Sequence, residues 1–398
     1  MRTVLLVIPC LLGQVNAIYN PLIEYAGSTF FDKFSYYGNV DNTTWGNATY
    51  LDQPSAVAQK LTFINDAGNA IVKVDNTTTL VAGPPGQAVN RNSVRLTSLE
   101  SYGLGTLIVI DAVHIPFGCS VWPSFWTFGM EDTWPAAGEI DIIEAINGMD
   151  NNQMALHTTP GCTQAKAPQS GTTTASDCAP ARGCIVTENK ANSFGPGFAT
   201  AGGGVFAVQM EADGINFWFW SRPDVPASIS GTTSTTPMDV SSWGTPSGAY
   251  PAGNNCNITQ FFPPQNIVLL TTLCGHWAGV PSIYASTCSG DCFESNVLGD
   301  GSNYADAYWE VKYIRTYLSS DVSNPTGSAV TAAAAASSSS AAAATSTEAS
   351  AASSPVLATG GAAASTTSTT PTSAAGVSWS WSPASLMMLA VSFVATLL

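Results

Sequence analysis

Ten consecutive residues, Gly138-Glu139-Ile140-Asp141-Ile142-Ile143-Glu144-Ala145-Ile146-Asn147, constrain this chain more than any other stretch. Only 10% of its residues are charged, yet three carboxylates fall within six positions of an otherwise apolar run. Isoleucines mark the run as a strand, because β-branched side chains fit a pleated, half-buried surface. Side chains on a strand alternate between faces, so Glu139 and Asp141 share one face and Ile140 and Ile142 the other. Glu144, five positions after Glu139, falls on the wrong face. One extra residue, a β-bulge near Ile142 or Ile143, would return all three acids to a common side.

With that residue absorbed, Glu139 and Glu144 stand four ladder steps apart, roughly 13 Å along the strand. Side chains leaning together would bring the carboxyls to about 5 Å, the spacing used for glycoside cleavage with retention of configuration. One carboxylate attacks the sugar; the other donates and then removes a proton. Asp141 between them would tune both by charge and hydrogen bonding. The alternative is an edge strand whose acids guard against aggregation.

The motif Gly-Glu-Ile-Asp-x-x-Glu resembles the bulged signature of glycoside hydrolase family 16, the laminarinase-like β-glucanases. Three further stretches carry the resemblance: Ser120-Val121-Trp122-Pro123-Ser124-Phe125-Trp126, Met154-Ala155-Leu156-His157-Thr158-Thr159 and Cys274-Gly275-His276-Trp277-Ala278-Gly279. It covers roughly residues 20 to 318 and implies a curved antiparallel β-sandwich of the jelly-roll, concanavalin-like kind. It also implies Glu139 as nucleophile, Glu144 as acid/base, and glucan subsites lined by Trp126, Trp134 and Trp277. His157 would hydrogen-bond near the nucleophile. Family members often carry an acidic residue where His276 stands, a departure that bears on the outlying subsites and on linkage preference.

The rest of the chain agrees with an all-β body. Short strand candidates, Gly105 to Ile115, Gln153 to Thr158, Val205 to Asp213, Ile215 to Trp220, Asn266 to Thr272 and Ala307 to Leu318, alternate with Gly, Pro and Asn clusters. Ala212-Asp213-Gly214 reads as a hairpin turn. In the last strand, alternation places Trp309, Val311 and Tyr313 on one face and Glu310, Lys312 and Ile314 on the other. Trp218 and Trp309 read as core, and Trp122 shares strand parity with Trp126.

A net charge of −15 argues against nucleic acid or anionic membrane as partner and suits a neutral polysaccharide. Residues 1–17 read as a secretory signal, with an apolar run ahead of Val15-Asn16-Ala17. Eight cysteines remain after it, at 119, 162, 178, 184, 256, 274, 288 and 292, enough for up to four disulfides. Cys288 and Cys292 have metal-like spacing but lack a second paired group, so no metal and no cofactor is expected. Sequons begin at Asn42, Asn47, Asn76 and Asn257.

Residues 18–318 form the expected catalytic domain. From 319 to 375 the composition turns to Ala, Ser and Thr, a disordered and O-glycosylated stalk by its chemistry. Residues 376–398 read as a GPI-attachment signal, with a C-terminal hydrophobic anchor as the alternative. The expected protein is a secreted or cell-surface monomer that meets a membrane only through that anchor. Its partner is β-glucan. Three functions remain open: a retaining endo-β-glucanase on β-1,3 or mixed β-1,3/1,4 chains, a cell-wall transglycosylase with the same carboxylates, and a non-catalytic glucan receptor.

Overall fold

Alternating apolar strands that must each bury one face leave a two-layer sandwich as the simplest solution, and that is the architecture found. The computed structural model describes residues 18–321, apart from residues 85, 131 and 132. The expected leader (1–17), the stalk from 322 onward and the anchor signal (376–398) lie outside the described residues.

Two large antiparallel sheets face each other. One holds eight strands, in the spatial order Thr172–Ala175, Cys184–Thr187, Gln153–His157, Glu139–Glu144, Val121–Phe128, Gln265–Leu273, Arg95–Tyr102 and Phe34–Tyr36. The acidic strand thus lies inside the sheet, paired with Val121–Phe128 on one side and Gln153–His157 on the other. This removes the edge-strand reading, because both of its ladders are occupied. The second sheet has nine strands and includes Thr106–His114, Gly204–Glu211, Gly214–Ser221 and Tyr308–Ser319. Gly204–Glu211 and Gly214–Ser221 form the expected hairpin. Helices among the described residues are short, six residues or fewer in the α form.

The main core fills the space between the sheets. Ile140, Ile142, Ile143, Phe125, Ile267 and Leu269 contribute from the first sheet, and Ile110, Phe206, Val208, Phe217 and Trp309 from the second. Trp309 is fully buried and its indole N–H donates to the Leu270 carbonyl at 3.1 Å. Trp218 is also buried, but in a separate apolar cluster that includes Tyr19, Val205 and Trp243.

The last strand corrects one expectation. Ile314 joins Trp309 and Val311 in the core between the sheets, whereas Tyr313 packs against the other cluster. Against Thr106–His114 the register shifts twice, between Glu310 and Val311 and between Val311 and Tyr313. Each irregularity breaks simple alternation, so parity counted from Trp309 fails after Val311.

All eight cysteines are paired: Cys119–Cys288, Cys162–Cys256, Cys178–Cys184 and Cys274–Cys292. Cys288 and Cys292 do not act together. Cys292 closes the 274–292 segment on Cys274, and Cys288 fastens that segment to Cys119. The sequon asparagines Asn42 and Asn257 are exposed, while Asn47 and Asn76 are half-buried.

The acidic strand contains the bulge. Asp141 lies opposite Trp126 and Ile143 opposite Phe125, so Ile142 has no partner of its own on that side. Such an insertion frees backbone groups that burial would penalise. Asn152, wholly buried, takes up two of them. Its side-chain oxygen accepts from Glu144 N–H at 2.9 Å and its side-chain amide donates to the Ile142 carbonyl at 2.9 Å. Its own N–H donates to Ser193 Oγ at 3.0 Å. Replacing Asn152 by Ala strands both groups, each at about 1–3 kcal/mol. Urea unfolding should show a loss of roughly 2–4 kcal/mol; a loss under about 0.5 kcal/mol would mean the bulge needs no clamp.

Candidate active site

With Ile142 set aside, Glu139, Asp141 and Glu144 alternate with core residues Ile140 and Ile143 and all face outward. The strand is launched by Gly138 at φ +68°, where a Cβ would come within 2.5 Å of the Phe261 carbonyl oxygen. A side chain there would collide with the Phe261–Phe262 backbone and ring. The neighbouring strand presents Trp122, Ser124 and Trp126 on the same outward face, level with the acids.

Each acid has its own surroundings. Glu139 accepts from the Trp134 indole N–H at 2.8 Å, and His157 Nε2 lies 3.7 Å from its other oxygen. Asp141 is nearly sealed, with His157 Nε2 3.0 Å from Oδ2. Glu144 accepts from the Trp122 indole N–H at 2.9 Å and from Ser124 Oγ at 3.5 Å. His157 faces Glu139 directly across the ladder, which explains its placement.

Burial dominates the electrostatics. It pushes Glu144 up to about 7, helped by the charge of Asp141 and opposed by the Trp122 hydrogen bond. Glu139 and Asp141 both lie well above the ordinary carboxylate range, through burial first. The Asp141 charge raises Glu139 further, while His157 and Trp134 pull it down. Two such acids in contact share one proton more readily than they carry two charges. The donor atoms of Glu139, Asp141 and His157 lie within 4.8 Å of one another, a distance a cation could bridge. Proton sharing among buried acids produces the same crowding without one.

The sequence-expected residues do come together, with differences among them. Trp134 is half-exposed and Trp126 almost buried. Trp126 packs with Ala48, Tyr50, Val268 and Leu270, and the Arg95 guanidinium lies 5.3 Å from its ring. Trp277 meets Trp122 edge-on at 5.4 Å and does not itself hydrogen-bond an acid. Trp122 holds the more direct position, on Glu144, and its shared parity with Trp126 was the signal for it. Asn152 and Arg95 carried no sequence signal, since a single amide or guanidinium outside any motif looks like surface.

A family model described as "XgeA-like, catalytic GH16 domain" matches residues 34–317. A protein of Schizosaccharomyces pombe named a probable glycosidase is 36% identical over 309 residues, covering 75% of this chain and 69% of its own. Endo-1,3(4)-beta-glucanase xgeA of Emericella nidulans is 35% identical over 324 residues, covering 78% of this chain. This chain spans about half the length of that relative, 49%. Among solved structures, GH16 Laminarinase 16A from Phanerochaete chrysosporium, with two beta-glucans in donor and acceptor sites, superposes with a TM-score of 0.70 at 35% identity. That match covers 76% of this chain and 100% of the other. An elongating GH family 16 beta-1,3-glucosyltransferase gives 0.67 at 36% identity, over 75% and 99% of the two chains.

The raised acids fix a stability profile. A carboxyl whose folded pKa exceeds its unfolded value stabilises the fold below the unfolded value, and that stability is lost as pH rises through the folded one. For Glu144 the window runs from about 4.5 to about 7. Glu144→Gln should therefore be more stable than the parent by roughly 1–3 kcal/mol at pH 8, with the gap closing by pH 4. Melting curves of both proteins across that range measure it, and a gap that is flat with pH contradicts the assignment.

Proposed function

The chain belongs to the XgeA-like catalytic group of glycoside hydrolase family 16, and from that premise we propose that it cleaves β-1,3 or mixed β-1,3/1,4 glucan with retention of configuration. The observation that carries the reading is the single-residue bulge at Ile142, which turns Glu139 and Glu144 to one face on either side of Asp141. Relatives named as endo-1,3(4)-beta-glucanase supply the substrate class.

In this reading Glu139 is the nucleophile. Two neighbours, the Trp134 N–H and His157, favour its charged form, against burial and the charge of Asp141. Its carboxylate attacks the anomeric carbon while Glu144 gives its proton to the departing oxygen. A glycosyl ester on Glu139 and a Glu144 carboxylate result. Glu144, raised to about 7, is protonated in mildly acidic solution and suited to that first step. It then takes a proton from water, and the resulting hydroxyl displaces Glu139. His157 is assigned to hold Glu139 and Asp141 in place, and Trp126, Trp134 and Trp277 to bear the sugar rings, whose C–H faces match aromatic faces.

A second reading has its own support. If a sugar hydroxyl replaces water in the second step, the same residues transfer the glycosyl group to another chain. The similarity to an elongating glucosyltransferase favours keeping it. A non-catalytic receptor fits less well, since binding a neutral sugar gives no use for three buried acids that destabilise one another.

We place the enzyme outside the cell, since four disulfides persist in oxidising compartments. Lipid anchoring through the 376–398 signal is the finer proposal. Phosphatidylinositol-specific phospholipase should release protein lacking peptides from 386–398, and recovery of those peptides in the mature protein counts against it.

The central test uses laminarin and lichenan. Glu139→Ala and Glu144→Ala should each lower turnover by at least about a thousandfold. On an aryl β-glucoside whose leaving group departs without a proton, azide should restore Glu144→Ala by supplying the attacking anion, and leave Glu139→Ala with a glycosyl azide of opposite configuration or none. Retained turnover in either variant refutes the roles. Product chains longer than the substrate would decide for transfer over hydrolysis.

A further inference from the structure

The wall beside Glu144 continues past the residues already assigned. Trp122, which holds Glu144, touches Trp277 edge-on, and the residue before it, His276, stacks on Trp45 at 6.2 Å with rings inclined by only 22°. Asn47 N–H donates to the Leu273 carbonyl at 2.8 Å. The 41–47 loop is thereby seated along the end of Gln265–Leu273, two strands over from the acidic one. At ordinary strand spacing that is roughly 10 Å to the side of Glu144. Trp45, Asn47, His276, Asp291 and Phe293 line one open pocket there.

Trp45 is the unusual member. It is 67% exposed and its backbone sits in the left-handed region, at φ +56°. A bulky residue there is strained, and so much exposure returns little by burial.

The surroundings nonetheless hold it firmly. The buried Asp41 carboxylate accepts from the backbone N–H groups of Thr43, Thr44 and Gly46 and from the hydroxyls of Thr43, Thr44 and Thr272. The facing loop interlocks with it. His276 N–H donates to the Thr44 carbonyl at 3.0 Å, and Gly275, at φ +68°, lies so close that a Cβ would meet that same oxygen at 2.7 Å. Two loops are thus fitted together to present one strained, exposed indole. Folding alone gives no reason for that arrangement.

We propose that Trp45, backed by His276, is an outlying glucosyl subsite, on which a sugar ring of the same β-glucan chain stacks several units from the bond cleaved between Glu139 and Glu144. It rests on the glucanase reading above. The free face of Trp45 takes the C–H face of a pyranose ring, and Asn47 and Asp291 stand beside it with polar groups for its hydroxyls. Stacking at a site this far from the acids adds affinity only for chains long enough to reach it.

The test compares kcat/KM for laminari-oligosaccharides of seven and of three glucosyl units, expressed as a ratio. Trp45→Gly removes the ring but suits the left-handed backbone, so its Tm should hold or rise while the ratio falls about tenfold. Trp45→Phe should keep most of the ratio, and His276→Ala should lower it in part. An unchanged ratio in Trp45→Gly overturns the subsite, as does a fall in the ratio that appears only with a loss of Tm. A glycan on Asn47, found by mass spectrometry and occupying the pocket, overturns it as well. Absence of turnover on either oligosaccharide by the unmodified enzyme refutes the glucanase reading instead, which a changed or unchanged ratio does not.

Discussion

One unpaired residue in one strand, Ile142, is what the functional geometry depends on. Without it, Glu144 would point into the apolar layer between the sheets, where an unpaired carboxylate costs several kcal/mol. With it, both Ile140 and Ile143 pack inward and all three acids face out. The insertion is held by the Asn152 side chain, which supplies the two hydrogen bonds that the bulge removes from the ladder. Asn152 is itself held through Ser193, so the placement of Glu144 depends on residues some forty positions further along. The acidic strand has neighbours on both sides, which leaves the bulge no freedom to slide.

The same placement sets the electrostatics. A chain with few charges puts three of them side by side, and each neighbour makes ionisation of the next harder. The indole donors of Trp134 and Trp122 then separate the outer two acids from the middle one. They favour the anionic forms of Glu139 and Glu144, against burial and the charge of Asp141. The arrangement is costly at alkaline pH, and a folded domain tolerates it because the core below is extensive and four disulfides restrain the chain. Local strain of this kind is characteristic of functional sites.

The loops at the ends of the strands extend the surface beyond the acids. Cys274–Cys292 and Cys119–Cys288 tie the segment that carries His276 and Trp277 to the body of the sandwich. Asp41 does the same for the loop that carries Trp45, by hydrogen bonds in place of a covalent link. Both loops are therefore fastened to the sandwich at several points. Aromatic side chains at their tips stand at fixed places relative to Glu144, which is what recognition of a repeating polymer requires.

Much of this was legible in the sequence, and for local reasons. Strand content follows from alternation and β-branched residues, and the bulge follows from parity within a single strand, where five residues separate two acids that chemistry needs on one face. The disulfide count follows from the even number of cysteines left once residues 1–17 are read as a leader. What lay beyond reach depends on contacts between distant segments. Which cysteines pair, and the failure of parity after Val311, are set by neighbours that alternation does not reveal. The roles of Asn152 on Ile142, Trp122 on Glu144 and Asp41 under Trp45 arise where loops from separate parts of the chain meet. A lone amide, indole or carboxylate has no periodicity to betray it, because its partner is decided by packing. Period and residue type fix the strands and the acids; only the closing of the two sheets determines what each acid touches.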